Sequence, residues 1–348
     1  MSEKSTKNFH IPQDYMRFQR LIFLICALFT LFILLSLGLS LSYPELPSQP
    51  GKIYFYSNQK RDDLGLLLQE AFKSAQKSIA ISIFNFSDRQ LLKTLKEAEL
   101  RGVDVQIFAD ESAFYQLEKI FPQVCQDTKL QGLMHRKIVI IDDHLVFMGS
   151  ANFTKESLQV HENILLAVDS TSLAEALLHE KGGGRSYIFS HQTAELFLLP
   201  QDKEAEKTLI DRINGAQKSL KVAMFTWTSA RFAEAVIAAH KRGVLVEVAL
   251  DRQSCHGTSR KIARLLHREG IALFQNQGPG LLHHKFALID DTTLITGSAN
   301  WTVGAFKRNA EVVLILNPLT AEQQHFFSDL WTILTLSSKR PDKLAYAA

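Results

Sequence analysis

Two histidines in this 348-residue chain are each followed, at identical spacings, by the same six residues. They are His135, Lys137, Asp142, Gly149, Ser150, Ala151 and Asn152, and then His283, Lys285, Asp290, Gly297, Ser298, Ala299 and Asn300. Both runs obey H-x-K-x4-D-x6-G-S-A-N, a coincidence expected by chance about once in 10⁹ per register at ordinary composition. An imidazole can attack or carry a proton near neutral pH, and an ammonium beside it stabilises charge on non-bridging phosphate oxygens. The Gly-Ser-x-Asn turn adds a hydroxyl and an amide on a backbone that an oxyanion can approach closely. With one histidine per motif, a neutral imidazole can attack phosphorus while the other, protonated, hands its proton to the leaving alkoxide. A protonated lysine does not ligate divalent metals, and neither HExxH nor a carboxylate cluster occurs, so this reading includes no metal and no cofactor.

The elements that must hold these groups can be read from periodicity. A strand sends residues i and i+2 to one face, so His135 and Lys137 share a face, as do His283 and Lys285, while Arg136 and His284 point away. The apolar runs 138–141 and 286–289 bury those strands. Asp142 and Asp290 fall at strand-to-turn junctions, where a turn role competes with direct chemistry. Upstream, AQKSIAISIFNFS at 75–87 returns as AQKSLKVAMFTWT at 216–228, an offset of 141 that also relates Arg101-Gly102-Val103 to Arg242-Gly243-Val244 and Asp110 to Asp251. Leu91, Leu92, Leu95 and Ala98 recur at helical spacing, matched by Phe232, Ala233, Val236 and Ala239. Val103, Val105 and Ile107 alternate as a strand, matched by Val244, Val246 and Val248. Each half is therefore a β-α-β unit followed by further strands and helices. Phe84, Phe86, Phe225 and Trp227 are assigned to the core, with Trp227 a candidate to face the cleft, and His144, His161, His256 and His284 to surface or packing.

Lys plus Arg number 39 against 36 Asp plus Glu, a formal +3 that does not mark a protein coating polyanions by bulk charge. Residues 21–44 carry no charge, and 24 residues at about 1.5 Å each span roughly 36 Å, so a transmembrane helix or signal anchor is expected at 21–43. Arg17 and Arg20 precede it, which predicts a cytoplasmic N-terminal segment at 1–20 and a body on the opposite side of the membrane. Ser40-Leu41-Ser42 offers a cleavage site, and cleavage there would release a secreted body. The spacer 44–51 is proline-rich, and KGGGR at 181–185 reads as a flexible linker between a first half at 52–180 and a second at 186–320, with a C-terminal helix and tail at 321–348. Cys26, Cys125 and Cys255 fit no paired framework, and Cys125 and Cys255 could pair only in an oxidising compartment.

The duplicated HxKxxxxD followed by GSxN resembles the phospholipase D superfamily over nearly all of residues 52–316. The resemblance implies an α/β fold of two tandem phospholipase D-like sandwich domains with pseudo-twofold symmetry and one shared active site. It implies a catalytic set of His135, Lys137, Asp142, His283, Lys285 and Asp290, with His135 as nucleophile forming a phosphohistidine and His283 as general acid and later base. Ser150, Asn152, Ser298 and Asn300 would bind phosphate or support the site. The family's downstream acidic residue would be Glu162 in HEN and Glu311 in NAE, although these lie 10 and 11 residues after Asn152 and Asn300. The expected activity is hydrolysis or transfer of the phosphatidyl group of membrane phospholipids. A nuclease cleaving nucleic-acid diesters is the alternative, and a non-catalytic binder of anionic lipid is a third reading. Because both half-sites lie in one chain, no obligate dimer is expected.

Overall fold

Alternating apolar residues become strands whose buried faces receive amphipathic helices, and the same order is used twice. The computed structural model describes residues 13–40, 44–126 and 131–340, with side chains from 19 to 33 in the first stretch. Most of the N-terminal segment, residues 41–43 with part of the cleavage candidate, residues 127–130 and the tail 341–348 lie outside the described residues. Two units separate, residues 1–44 and 45–348.

The first unit contains α1 (Gln13–Ser40). Its described apolar side chains, from Leu21 to Ile33, are exposed. Among the described residues no helix is long and apolar enough to cross a membrane. This overturns the expected transmembrane span, and with it the single-pass placement of a cytoplasmic N-terminus and a body on the far side.

In the second unit the chain runs β1 (Ile53–Ser57), α2 (Leu64–Ser74), β2 (Ser78–Ile83), α3 (Arg89–Leu100), β3 (Asp104–Ala109), α4 (Glu111–Leu117), β4 (Lys137–Ile141), β5 (Leu145–Gly149), α5 (Lys155–Gln159), β6 (Ile164–Asp169) and α6 (Thr171–Leu178). It continues through β7 (Arg185–Phe189), β8 (Gln192–Leu199), α7 (Ala205–Asn214), β9 (Ser219–Met224), α8 (Ala230–Lys241), β10 (Leu245–Leu250), α9 (Arg252–His256), α10 (Arg260–Arg268) and β11 (Ala272–Asn276). Last come β12 (Lys285–Ile289), β13 (Thr293–Gly297), α11 (Val303–Lys307), β14 (Glu311–Asn317), α12 (Ala321–Leu336) and β15 (Ser338–Lys339). The glycine-rich 181–185 stretch leads from α6 into β7, whose first residue is Arg185.

The first sheet has the order β1-β6-β5-β4-β2-β3, and the second contains its equivalent, β8-β14-β13-β12-β9-β10, extended by β7 on one edge and by β11 and β15 on the other. In α3 the residues Leu91, Leu92, Leu95 and Ala98 are buried, and the helix begins where the Asp88 carboxylate accepts from the N–H groups of Gln90 and Leu91. Those residues share one apolar cluster with α2 and one face of the first sheet, and α7, α8 and α10 pack in the same way on the second. The remaining faces of both sheets meet in a third cluster that joins Ile138, Ile140 and Leu166 to Phe286, Leu288 and Leu314. The layers are thus helix, sheet, sheet, helix, and β4 and β12 lie inside them.

Candidate active site

Each H-x-K pair stands where its strand enters the sheet, since β4 begins at Lys137 and β12 at Lys285. The segments just before these strands are tied to the opposite half. His135 N–H donates to Ala310 O at 2.9 Å and His283 N–H to Glu162 O at 3.0 Å. Short parallel bridges join Met134 to Ala310 and Glu162 to Leu282. Each histidine is consequently oriented by a side chain of the other half. His135 Nδ1 lies 2.8 and 2.9 Å from Glu311 Oε1 and Oε2. His283 Nδ1 lies 3.0 Å from Asn163 Oδ1. A carboxylate or amide oxygen only accepts, so both Nδ1 atoms carry hydrogen and both Nε2 atoms are left for chemistry.

The serines of the GSAN turns hold those acceptors. Ser298 Oγ donates to Glu311 Oε2 at 2.5 Å and Ser150 Oγ to Asn163 Oδ1 at 2.8 Å, and the same hydroxyls accept from Val312 N–H and Ile164 N–H at 3.0 and 3.1 Å. Glycine is required just before each serine: a Cβ on Gly149 would lie 2.2 Å from Ile164 O, and one on Gly297 2.1 Å from Val312 O. The asparagines of the two turns differ. Asn300 Oδ1 accepts from Thr226 N–H at 3.1 Å, whereas Asn152 Oδ1 is buried without a partner among the described residues.

Lys137 Nζ donates to His135 O, and Lys285 Nζ to His283 O, each at 2.6 Å. Phe84 covers the first pair, its ring 5.2 Å from Lys137 Nζ and 5.2 Å from the His135 ring. Phe225 covers the second at 5.0 and 4.8 Å. These two phenylalanines therefore line the site instead of belonging to the core, while Phe86 and Trp227, two residues further on, are fully buried. Trp227 does not face the cleft.

Burial is the main electrostatic influence on all four basic groups. It pushes Lys137 down to about 7, against the pull of Glu311 and Asp110. It lowers Lys285 well below its usual value, helped by the like charge of Lys137. His283 is driven well down by burial and then by Lys285, Lys137 and His135. His135 is lowered by burial as well, with Glu311 opposing. Such a cluster favours an anion, whose charge would restore every one of these protons. Among the described residues no three His, Cys, Asp or Glu side chains converge as metal ligands.

Two further sequence expectations differ from the structure. Glu162 offers its backbone to His283, but its carboxyl does not reach that ring: Oε2 has no partner among the described residues, and burial followed by the charge of Asp251 pushes the group up to about 7. The counterpart of Glu311 is Asn163, as counting 11 residues from Asn152 would have revealed, and Glu162 corresponds to Ala310. Asp142 and Asp290 do not touch the histidines. Asp142 accepts from the N–H groups of Gln76, Lys77 and Ser78, and Asp290 from those of Gln217, Lys218 and Ser219, at 2.7 to 3.2 Å. Burial alone would raise both carboxyls, but these donors outweigh it and lower them. With φ of 50° and 52° they open tight turns and pin the start of β2 and β9 at the far end of β4 and β12. His161 packs nearby, its ring 6.2 Å from that of His283.

Two α/β halves that share a site made of paired H-x-K strands and G-S-A-N turns define a duplicated phosphodiester-type architecture. The chain belongs to the family described as cardiolipin synthase, PLD-like domain, which it matches over residues 68–180 and 209–331, more than half its length. It is 37% identical over 135 residues to the mitochondrial cardiolipin hydrolase of Xenopus laevis, a match covering 38% of this chain and 64% of that protein. The chain thus spans less than two thirds of that relative. It is 32% identical over 149 residues to a phospholipase D of Rickettsia conorii, covering 43% of this chain and 73% of that one. In fold it is similar to the phosphatidylserine synthase of Haemophilus influenzae, with a TM-score of 0.68 at 13% identity over 86% of this chain and 90% of that one.

Proposed function

We propose that this protein is a phospholipase D-type phosphodiesterase that hydrolyses or transfers the phosphatidyl group of glycerophospholipids. The observation that carries the reading is the crossed pair of buried histidines, each with Nδ1 held by the opposite half and a lysine from its own strand beside it. The named relatives, a cardiolipin hydrolase and a phospholipase D, support the phospholipid as substrate.

In this mechanism His135 Nε2 attacks phosphorus and the bond to the headgroup oxygen breaks. His283 gives its Nε2 proton to that leaving alkoxide, and a phosphatidyl-histidine forms on His135. Water or an alcohol then attacks phosphorus, loses its proton to His283, and releases His135. The Glu311 carboxylate stabilises the positive ring of the covalent adduct, while Asn163, carrying no charge, leaves His283 a ready proton donor. Lys137 and Lys285 neutralise the non-bridging oxygens, a role worth on the order of 10² to 10³ in rate per donor in comparable sites. The working unit is the pair of halves, residues 52–180 and 186–320 joined at 181–185, and one chain supplies both half-sites.

The test is incubation of the full chain with vesicles of a phospholipid panel and, separately, with single-stranded DNA. Headgroup release from phospholipid is expected, with His135→Ala and His283→Ala each losing more than roughly 10³-fold. Mass spectrometry of the unsubstituted enzyme, quenched in neutral denaturant during turnover because a phosphohistidine hydrolyses in acid, should find the phosphatidyl adduct on His135. Full activity in both variants would sink the mechanism, and cleavage of DNA alone would replace the substrate.

A further inference from the structure

A cavity of about 440 Å³ opens on the side of β4 opposite His135 and Lys137, lined in part by Ser82, Phe108, Ile138, Ile140 and Leu177. The internal repeat explains why it is there. In the first half β6 is followed by α6, of 8 residues, and in the second β14 is followed by α12, of 16. Leu330, Trp331 and Leu334 in the last turns of α12 are buried in one apolar cluster with Ala223, Ala249, Phe286 and Leu288. Trp331 stands 6.4 Å from the Phe286 ring and donates its indole N–H to Glu247 at 3.0 Å. The first-half residues at those four register positions are Ser82, Phe108, Ile138 and Ile140, and they face a cavity because α6 stops at Leu178.

The cavity wall also carries a charge. Arg136 is only 3% exposed, and its Nη1 donates to Glu180, but Nε and Nη2 are buried with no partner among the described residues. Its counterpart, His284, is bonded through Nε2 to Gln59. Buried N–H groups of a cation left unpaired are costly and rare; Arg136 lines the cavity, but neither atom exposes surface to it, so an oxyanion pairs with them once the side chain turns toward the opening. Nε and Nη2 form one edge of the guanidinium, with parallel N–H bonds that match two oxygens of a carboxylate or phosphate. The volume falls in the range of about 300 to 1,000 Å³ typical of small-molecule sites.

We propose that this cavity binds a single-chain amphiphile with an oxyanion head. The head takes the free edge of Arg136, and the alkyl chain lies along β2 and β4 where the last turns of α12 lie in the other half. The site is distinct from the histidine cleft and does not depend on the reaction proposed there.

Isothermal titration of the full chain with decanoate and with decyl phosphate, below their micellar concentrations, tests it. One equivalent should bind, about tenfold or more tighter than decanol, and inorganic phosphate should not displace it. Binding of only one of the two anions identifies the head the site prefers and supports the proposal. Arg136→Gln and, at Ala80 on the cavity wall, Ala80→Phe, which fills the cavity and keeps the arginine, should each weaken binding by about tenfold or more, while Lys285→Ala leaves it unchanged. Circular dichroism checks the fold of each variant, and Ala80→Phe decides the matter if Arg136→Gln does not fold. Loss of binding in Lys285→Ala with full binding in Ala80→Phe would place the ligand in the histidine cleft and overturn the proposal. So would equal affinity for decanol, or no binding at all.

Discussion

The two halves present their histidines through the same backbone bonds, the same serine and the same glycine, yet to different acceptors: a carboxylate, Glu311, for His135 and an amide, Asn163, for His283. A carboxylate stabilises imidazolium, whereas an amide only fixes the tautomer. Duplication therefore preserved orientation in both half-sites and kept the stabilising charge in one. The difference assigns unequal work to rings that the motif makes look equivalent. Asp142 and Asp290 teach the converse lesson, because they make the same three backbone contacts in both halves. What builds the strand is symmetric, and what tunes the histidine is not.

The largest expected contrast is between the two acceptors. Glu311→Gln should lower kcat for phospholipid turnover by roughly 10²-fold and Asn163→Ala by roughly tenfold, since only the first removes a charge. Equal losses under saturating substrate would erase the distinction. Next in size is a shift of the pH profile. Asn163→Asp supplies a carboxylate to His283, raises its pKa and should move the basic limb of kcat/KM up by roughly one unit. Glu311→Gln should move the acidic limb, which reports deprotonation of His135, to lower pH. Limbs that stay fixed in both variants would separate these residues from the titration.

The symmetric pair should answer symmetrically. Asp142→Asn and Asp290→Asn are each expected to cost roughly 2 kcal/mol in urea unfolding and to leave KM unaltered. Unequal costs would show that the two strand clips differ. The smallest effect concerns Lys137, held at about 7 in the folded protein against an ordinary lysine value of 10.5. Between these values the unfolded chain binds more protons, so stability rises with pH across that window and the contribution is lost as pH falls through it. Lys137→Met should remove part of that rise, a difference on the order of a few degrees in Tm between pH 7 and 9.5. An unchanged slope would assign the rise to Lys285, which is displaced in the same direction.

Much of the fold was legible because it is local. The helical spacing of Leu91, Leu92, Leu95 and Ala98 and the alternation of Val103, Val105 and Ile107 each follow from one element's geometry, and all these residues are buried. The H-x-K pairs were legible for the same reason. Glu162 satisfies the expected acidity but not the register, which falls on Asn163, 11 residues after Asn152 as Glu311 is after Asn300. Phe84 and Phe225 were misread because a strand-end aromatic has the same local pattern whether its ring meets a helix or a lysine. The apolar N-terminal run was read as a span from length and hydropathy, and among the described residues no helix meets that requirement.

Sequence alone determined that each half brings an imidazole and an ammonium on one strand face, since i and i+2 alternation needs no tertiary information. It also determined, through the repeat, that a β-α-β unit followed by further strands and helices appears twice. Only the tertiary structure decided which acceptor meets which ring. Glu311 lies 176 residues from His135, and Asn163 lies 120 from His283, pairings set by how two sheets pack and not by any local spacing. It decided equally that a helix of 8 residues leaves a cavity where one of 16 fills the same space.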